Sequence, residues 1–311
     1  MEREAPGESE PRRVELGRGR VLEVRPVAAG DVDGLSDLYD TLDPEDRRTR
    51  FFTFYRPGRE FFVRMASVQE RGGFGLVAVE DPDGPAPRIV GEASYNLLPN
   101  GDGELGITVA AGWRGWLGPY LVAALCEAAA ARGVTNLEAD VLIGNGPMLA
   151  VLRARGAANM AHPDWTVARV LIGTHGDAPS WPGPHDRPRV LVETPGGRWA
   201  AEEAARQAGI DVIVCSGPTR RRLPCPALEG RPCPLAAAAD AIVACPEPRD
   251  EEGNWRPEDD AAGETPWERL VGAHGVLHGG VPLCVTPAGR PASELLVQVE
   301  DVLARSPVRR R

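Results

Sequence analysis

Residues 102–133, read DGELGITVAAGWRGWLGPYLVAALCEAAAARG, admit few arrangements. Residues 105–109 alternate as a short β-strand, and an Arg/Gly turn then leads into an Ala- and Leu-rich helix over 118–132. Pro119 falls in the first turn of that helix, where its missing N–H would have lacked a partner anyway. A strand that feeds a helix through small residues leaves the first helical N–H groups pointing outward at the positive end of the dipole. Such a joint suits a phosphate or pyrophosphate, although the same residues can also form a joint that binds nothing.

The elements around this stretch follow from periodicity. Residues 21–27 read as a strand, and Asp31 as an N-cap before Val32, Leu35, Leu38 and Leu42 at helical spacing. A second short helix opens at Asp43 or Pro44, and Phe61, Phe62 and Met65 continue an apolar stripe read as core. Strands at 75–79, 89–97 and 105–109 are separated by DPDGPAP and PNGDG, which predicts an antiparallel meander. After the central helix come a strand at 136–143, a helix at 148–155 opened by Asn145-Gly146-Pro147, and a strand at 165–172. The order βααβββαβαβ is that of an α+β or mixed-sheet domain.

Residues 1–20 are polar and charged and read as a disordered tail. Residues 174–188 read as a Pro/Gly-rich linker, and 306–311 as a basic tail. Between them, over 189–305, strands and helices alternate as a small parallel α/β layer, interrupted by an acidic loop at 247–264.

At 311 residues the chain is long enough for two domains. Its net charge of −10 argues against nucleic acid as a partner, with Arg220–Arg222 and Arg309–Arg311 read as solvated loop and tail. No apolar run is long enough to span a bilayer and the N-terminal residues lack a signal's apolar core, so the cytoplasm is expected and a membrane is not. All 35 basic residues are Arg, so a lysine-modifying enzyme of this composition has no side-chain amine of its own to modify. Six cysteines in such a protein read as thiols before disulfides. Cys215 and Cys245 end apolar strands and read as core, whereas Cys225 and Cys233 read as loop thiols with a redox pair as the sharper alternative. Their spacing is wider than that of ordinary zinc knuckles, so no metal is expected.

Residues 21–173 resemble the GNAT N-acetyltransferase fold, on the order of their elements and on three segments. The first is Trp113-Arg114-Gly115-Trp116-Leu117-Gly118-Pro119, similar with a one-residue deletion to the family's pyrophosphate turn. The second is Asn145 followed by Met148, Leu149, Leu152, Gly156 and Ala157. The third pairs Leu42-Asp43-Pro44-Glu45…Arg50-Phe51-Phe52 with Gly103-Glu104-Leu105-Gly106-Ile107-Thr108-Val109, which resembles the bacterial protein-lysine acetyltransferase branch. The resemblance implies acetyl-CoA as co-substrate, held by Ile107, Val109, Arg114, Gly115, Trp116, Leu117, Gly118, Pro119, Tyr120 and Asn145. The chain departs from the family in the bulk of Trp116 and in Leu152, where many members carry a tyrosine acid. Residues 189–305 are similar in element order to a flavodoxin-like or receiver-like unit, without the phosphoacceptor Asp.

Acetyl transfer from a thioester needs a base for the amine, a donor for the thioester oxygen and amides for the pyrophosphate. Glu104, at the start of its strand, is the first base candidate, and Glu92 in GEASY on the preceding strand is the second. Tyr95 and Tyr120 read as packing residues with hydroxyls at a rim, and His162 as a turn residue. The reading is therefore an acetyl-CoA-dependent N-acetyltransferase joined to a regulatory domain. Its acceptor is the amine of a small molecule or a protein lysine, and homodimer formation is left open. The competing reading is a non-catalytic acyl-CoA sensor or interaction module.

Overall fold

The computed structural model describes residues 11–17, 20–156, 158–160, 166–176, 178–194, 197–217, 225–245, 266–286 and 290–306. His162, the acidic loop, Arg220–Arg222 and Arg309–Arg311 lie outside them. The chain divides into two compact units, Met1–Asn145 and Gly146–Arg311, so the GNAT-like stretch is shared between them.

In the first unit, strands β1 (Arg12–Leu16), β2 (Arg20–Pro26), β3 (Phe74–Glu80), β4 (Arg88–Leu97) and β5 (Gly103–Val109) form antiparallel neighbours in sequence order. β6 (Asn136–Leu142) then joins β5 in parallel. The predicted meander of three strands is present. The disordered reading of residues 12–16 is corrected, because Arg12–Leu16 pairs with Arg20–Val24. Its charged residues resemble those of a tail, but Arg13 bonds Glu23 on β2 and Asp83 in the turn after β3.

Helices α1 (Val32–Asp40), α2 (Pro44–Phe51) and α3 (Arg59–Ala66) cover one face. Val32, Leu35, Leu38 and Tyr39 of α1 are buried at helical spacing against Phe62 and Val77. Asp43 caps α2 by accepting from the Asp46 N–H at 2.8 Å. Asp31 does not cap α1 with its side chain. It turns back to the Ala28 N–H and takes both terminal nitrogens of Arg25 at 2.7 Å. The aromatic stripe is core, with Tyr39 in edge contact with Phe61 and Phe62.

The long helix α4 (Leu117–Ala131) packs on the opposite face through the fully buried Leu117, Leu121 and Leu125. Gly91 of β4 allows this approach, since a Cβ there would lie 3.1 Å from both Leu117 and Leu121. The two periods, 2 along β4 and 3.6 along α4, therefore meet at one glycine.

The second unit begins with α5 (Gly146–Ala154), followed by the antiparallel pair β7 (Ala158–Met160) and β8 (Val167–Gly173). β10 (Asp211–Cys215), β9 (Arg189–Glu193), β11 (Ala241–Ala244) and β12 (Leu283–Val285) lie side by side in that order, all parallel. β7 closes the β10 edge antiparallel. The parallel strands thus follow a 2-1-3-4 order, as expected of a small doubly wound layer. α7 (Pro234–Ala237) and α8 (Pro266–Leu277) pack on one face, with α6 (Glu202–Gln207) and α9 (Ala292–Leu303) on the other.

Two expectations fail here. The stretch 174–188 is not a free linker, because Trp181 and Ala178 are buried and the Trp181 Nε1–H donates to the Leu235 carbonyl at 2.7 Å. Cys225 and Cys233 stand outside the helices and strands, as read, but not as exposed thiols, since both are buried in the core cluster that holds Cys215. Burial pushes the Cys233 thiol up to about 12, so it remains protonated at neutral pH and is a poor redox nucleophile. Cys215 and Cys245 are core, as read, and none of the six cysteines is in a disulfide.

Candidate functional site

β5 and β6 are joined at one end and part at the other. Among the described residues they pair only at Gly103–Leu137 and Glu104–Glu138. A polar clamp holds the joined end: the Asn136 side-chain amide donates to Asp102 at 3.0 Å and that of Asn100 donates to Glu138 at 3.1 Å. Burial pushes the Asp102 carboxyl up to about 6. The Asn136 hydrogen bond opposes this rise and the nearby Glu138 adds to it. Gly103 sits in the clamp because a Cβ would stand 2.7 Å from Leu137.

Beyond the clamp, strand alternation decides which groups face the gap. The Ala110 N–H bonds the Val90 carbonyl of the β4 side, so Gly106 and Thr108 also direct their backbone groups to β4. Ile107 and Val109 direct theirs the other way, towards the gap. The Val109 carbonyl is met there by Arg114 Nε at 3.4 Å, at the long end of hydrogen-bond range.

The face of β4 and β5 under α1 and α2 carries a chain of hydrogen bonds. Arg50 Nε donates to the Thr108 hydroxyl at 3.1 Å, Thr108 to the Tyr39 hydroxyl at 2.9 Å, and Tyr39 to Glu92 Oε1 at 2.8 Å. Arg50 Nη2 also lies 3.8 Å from Glu92. Glu92 is 1% exposed, its Oε2 has no hydrogen-bond partner, and burial raises its pKa against the opposing pull of Arg50. Glu104 lies on the same face two and four residues from Gly106 and Thr108. It is exposed and close enough to Arg50 to act on its charge. Both base candidates are thus brought to one face, with Arg50 as their common neighbour.

Arg50, Tyr39 and Thr108 were not among the sequence candidates. Gly106 was the available signal, since a Cβ there would lie 2.6 Å from Arg50 Nη2 and a glycine inside a strand marks a close approach.

In the turn before α4, Gly115 has φ +100°, a conformation that favours glycine. The first backbone bond of the helix runs from the Tyr120 N–H to the Trp116 carbonyl. Leu117 and Gly118 precede it with first-turn N–H groups that have no helical acceptor, and Pro119 has none to offer. The Leu117 side chain is core, so only its backbone can serve a ligand. Trp116 is 41% exposed and leans on Trp113 and Tyr120, with ring centroids 6.1 and 6.2 Å away. Arg114 forms an ion pair with Asp46 of α2 at 2.6 Å.

Asn145 ends the turn after β6, its N–H donating to the Leu142 carbonyl at 2.8 Å. Leu152 is fully buried. The rim reading of Tyr95 is corrected: it is fully buried, its hydroxyl lacks a partner, and burial raises its pKa. A cavity of about 570 Å³ opens beside the site, between α1, the start of β4 and the turn after β5. Asp37, Thr41, Ile89 and Gly112 are among its lining residues. Among the described residues no group of three or more His, Cys, Asp or Glu is arranged to hold a metal ion. No described helix is long and apolar enough to cross a membrane.

No family model matches the chain. Among solved structures it is similar to the GNAT domain of S. lividans PAT, at 21% identity and a TM-score of 0.46 over 52% of this chain and 96% of that one. It is also similar to a GNAT superfamily phosphinothricin acetyltransferase from Sinorhizobium meliloti in complex with AcCoA. That likeness is 19% identical with a TM-score of 0.40, over 48% of this chain and 86% of the other. A cAMP-binding acyltransferase from Mycobacterium smegmatis is 23% identical with a TM-score of 0.36, over 53% of this chain and 47% of its own length.

Proposed function

We propose that residues 21–173 form an acetyl-CoA-dependent N-acetyltransferase domain and that residues 189–305 form a regulatory, receiver-like domain. The parting of β5 from β6 above the α4 turn carries this reading. It turns the Ile107 and Val109 N–H groups into a gap whose far end has first-turn amides for a pyrophosphate.

The acceptor is a small-molecule amine or a protein lysine. Glu104 takes the proton that leaves the ammonium, and the neutral amine attacks the thioester carbon. The C–S bond breaks, the acetyl group stays on nitrogen, the nitrogen gives up its second proton to water, and the thiolate leaves to be protonated by water, since Leu152 cannot donate. Glu104 suits the base role better than Glu92. Glu92 is sealed, and its hydrogen-bond chain ends at Arg50, a donor that does not give up its proton. Six cysteines with none in a disulfide fit a reducing, cytoplasmic setting.

The buried Leu152 favours a second reading, in which the domain binds acyl-CoA as a sensor and transfers nothing. Calorimetric titration of acetyl-CoA into the full chain, followed by an amine screen, separates the two. Transferase action predicts a Kd of about 1–100 μM with release of CoA thiol. Binding without thiol release supports the sensor, and no binding overturns both. Because the chain has no lysine, any acetyl-lysine formed belongs to the acceptor.

A further inference from the structure

We infer that Asp46 competes with the acyl-CoA pyrophosphate for Arg114 and so sets the affinity of the site. This inference rests on the acetyltransferase reading. Arg114 opens the turn into α4, where a pyrophosphate would meet the first-turn amides. In the structure its guanidinium instead faces Asp46 at 2.6 Å and the Val109 carbonyl at 3.4 Å.

A carboxylate on that guanidinium has the wrong charge for a neighbour of pyrophosphate. Each negative oxygen held by Arg114 is one phosphate oxygen it does not hold, and an unreleased Asp46 repels the incoming anion. The Asp46 carboxylate is held in place: its residue lies in the first turn of α2, whose cap bonds the Asp46 N–H. One turn further along the same helix, Arg50 anchors α2 to β5 through Thr108. α2 is therefore tied across the open end of β5 by two contacts of opposite polarity. The one at Arg114 is the more exposed, with 47% of the Arg114 side chain and 20% of that of Asp46 accessible. It can exchange partners without unpacking the core.

The test is a calorimetric cycle with CoA at low ionic strength, using the full chain, Asp46→Asn, Arg114→Ala and the double variant. Asp46→Ser guards against a local effect of asparagine, and melting curves check folding. Asp46→Asn should tighten CoA binding by about three- to tenfold, and Arg114→Ala should weaken it. The gain from Asp46→Asn should be smaller in the Arg114→Ala background, where only direct repulsion of the anion is left to relieve, and should shrink at high salt. An unchanged or weaker Kd in both folded Asp46 variants overturns the inference, making Asp46 a support for Arg114. If the wild-type chain itself fails to bind CoA, the acetyltransferase reading falls and the inference falls with it.

Discussion

Glu92 in β4 and Glu193 at the end of β9 are buried to nearly the same depth, 1% and 2% exposed. Each has one oxygen in a hydrogen bond and the other without a partner. Their surroundings differ. Glu92 connects through Tyr39, Thr108 and Arg50 to a half-open face that also carries the exposed Glu104. Among the described residues the Glu193 side chain bonds His274 at 3.0 Å, and His274 is itself fully enclosed with its ring tilted against that of His278. Depth and an unpartnered oxygen are common to a candidate site and to a sealed core pair. A hydrogen-bonded path to an accessible face is what distinguishes them.

The contrast can be attacked from either side. His274→Ala should have the largest effect, about 3–5 kcal/mol of stability in the second unit, because it leaves Glu193 buried without its partner. Urea denaturation followed by Trp fluorescence would measure it, and a loss under about 1 kcal/mol would mean that α8 is held by apolar packing alone.

Arg50→Ala should cost about 1–3 kcal/mol, less than a fully enclosed pair because Arg50 is partly accessible. Removing this cation raises the folded-state pKa of Glu92 further. The stability tied to that group is then present below its unfolded pKa and lost as pH rises through the folded value. The variant should therefore be more impaired at pH 8 than at pH 5, and equal impairment at both would place Arg50 outside the Glu92 network.

The Asp102 clamp predicts a smaller effect of the same sign. With a folded pKa of about 6 against 3.8 unfolded, its contribution is full below about pH 4 and is lost as pH rises through 6. Asp102→Asn should flatten about 1–2 kcal/mol of that pH dependence, seen as denaturation midpoints that no longer fall between pH 4 and 7. Trp116→Gly should change stability least, by less than about 1 kcal/mol, because its ring is itself 41% exposed. A larger loss in thermal melts would make the aromatic row a structural brace of the turn.

Local signals made part of this legible in the sequence. DPDGPAP and PNGDG set the meander, Asp43 marks the α2 cap, and the alternating strands of the second unit stand where periodicity puts them. What stayed hidden depends on partners remote in sequence. β1 pairs along its backbone with β2 while Arg13 reaches the distant Asp83, and the stretch 174–188 looks like a linker until Trp181 finds Leu235. Glu92 and Glu104 were legible as candidates because strand period and residue type are local. Their ranking was not, since it depends on Arg50 and Tyr39 arriving from α2 and α1. Asp46 on Arg114 was hidden for the same reason.

The most direct test of the central claim is steady-state release of CoA thiol by Glu104→Gln beside Glu92→Gln, with a panel of amines and acetyl-CoA. The account predicts that Glu104→Gln loses about 10²–10⁴-fold in kcat with its acetyl-CoA Kd unchanged, while Glu92→Gln stays within about tenfold of the parent. Full turnover by Glu104→Gln, or collapse only in a folded Glu92→Gln, would contradict it.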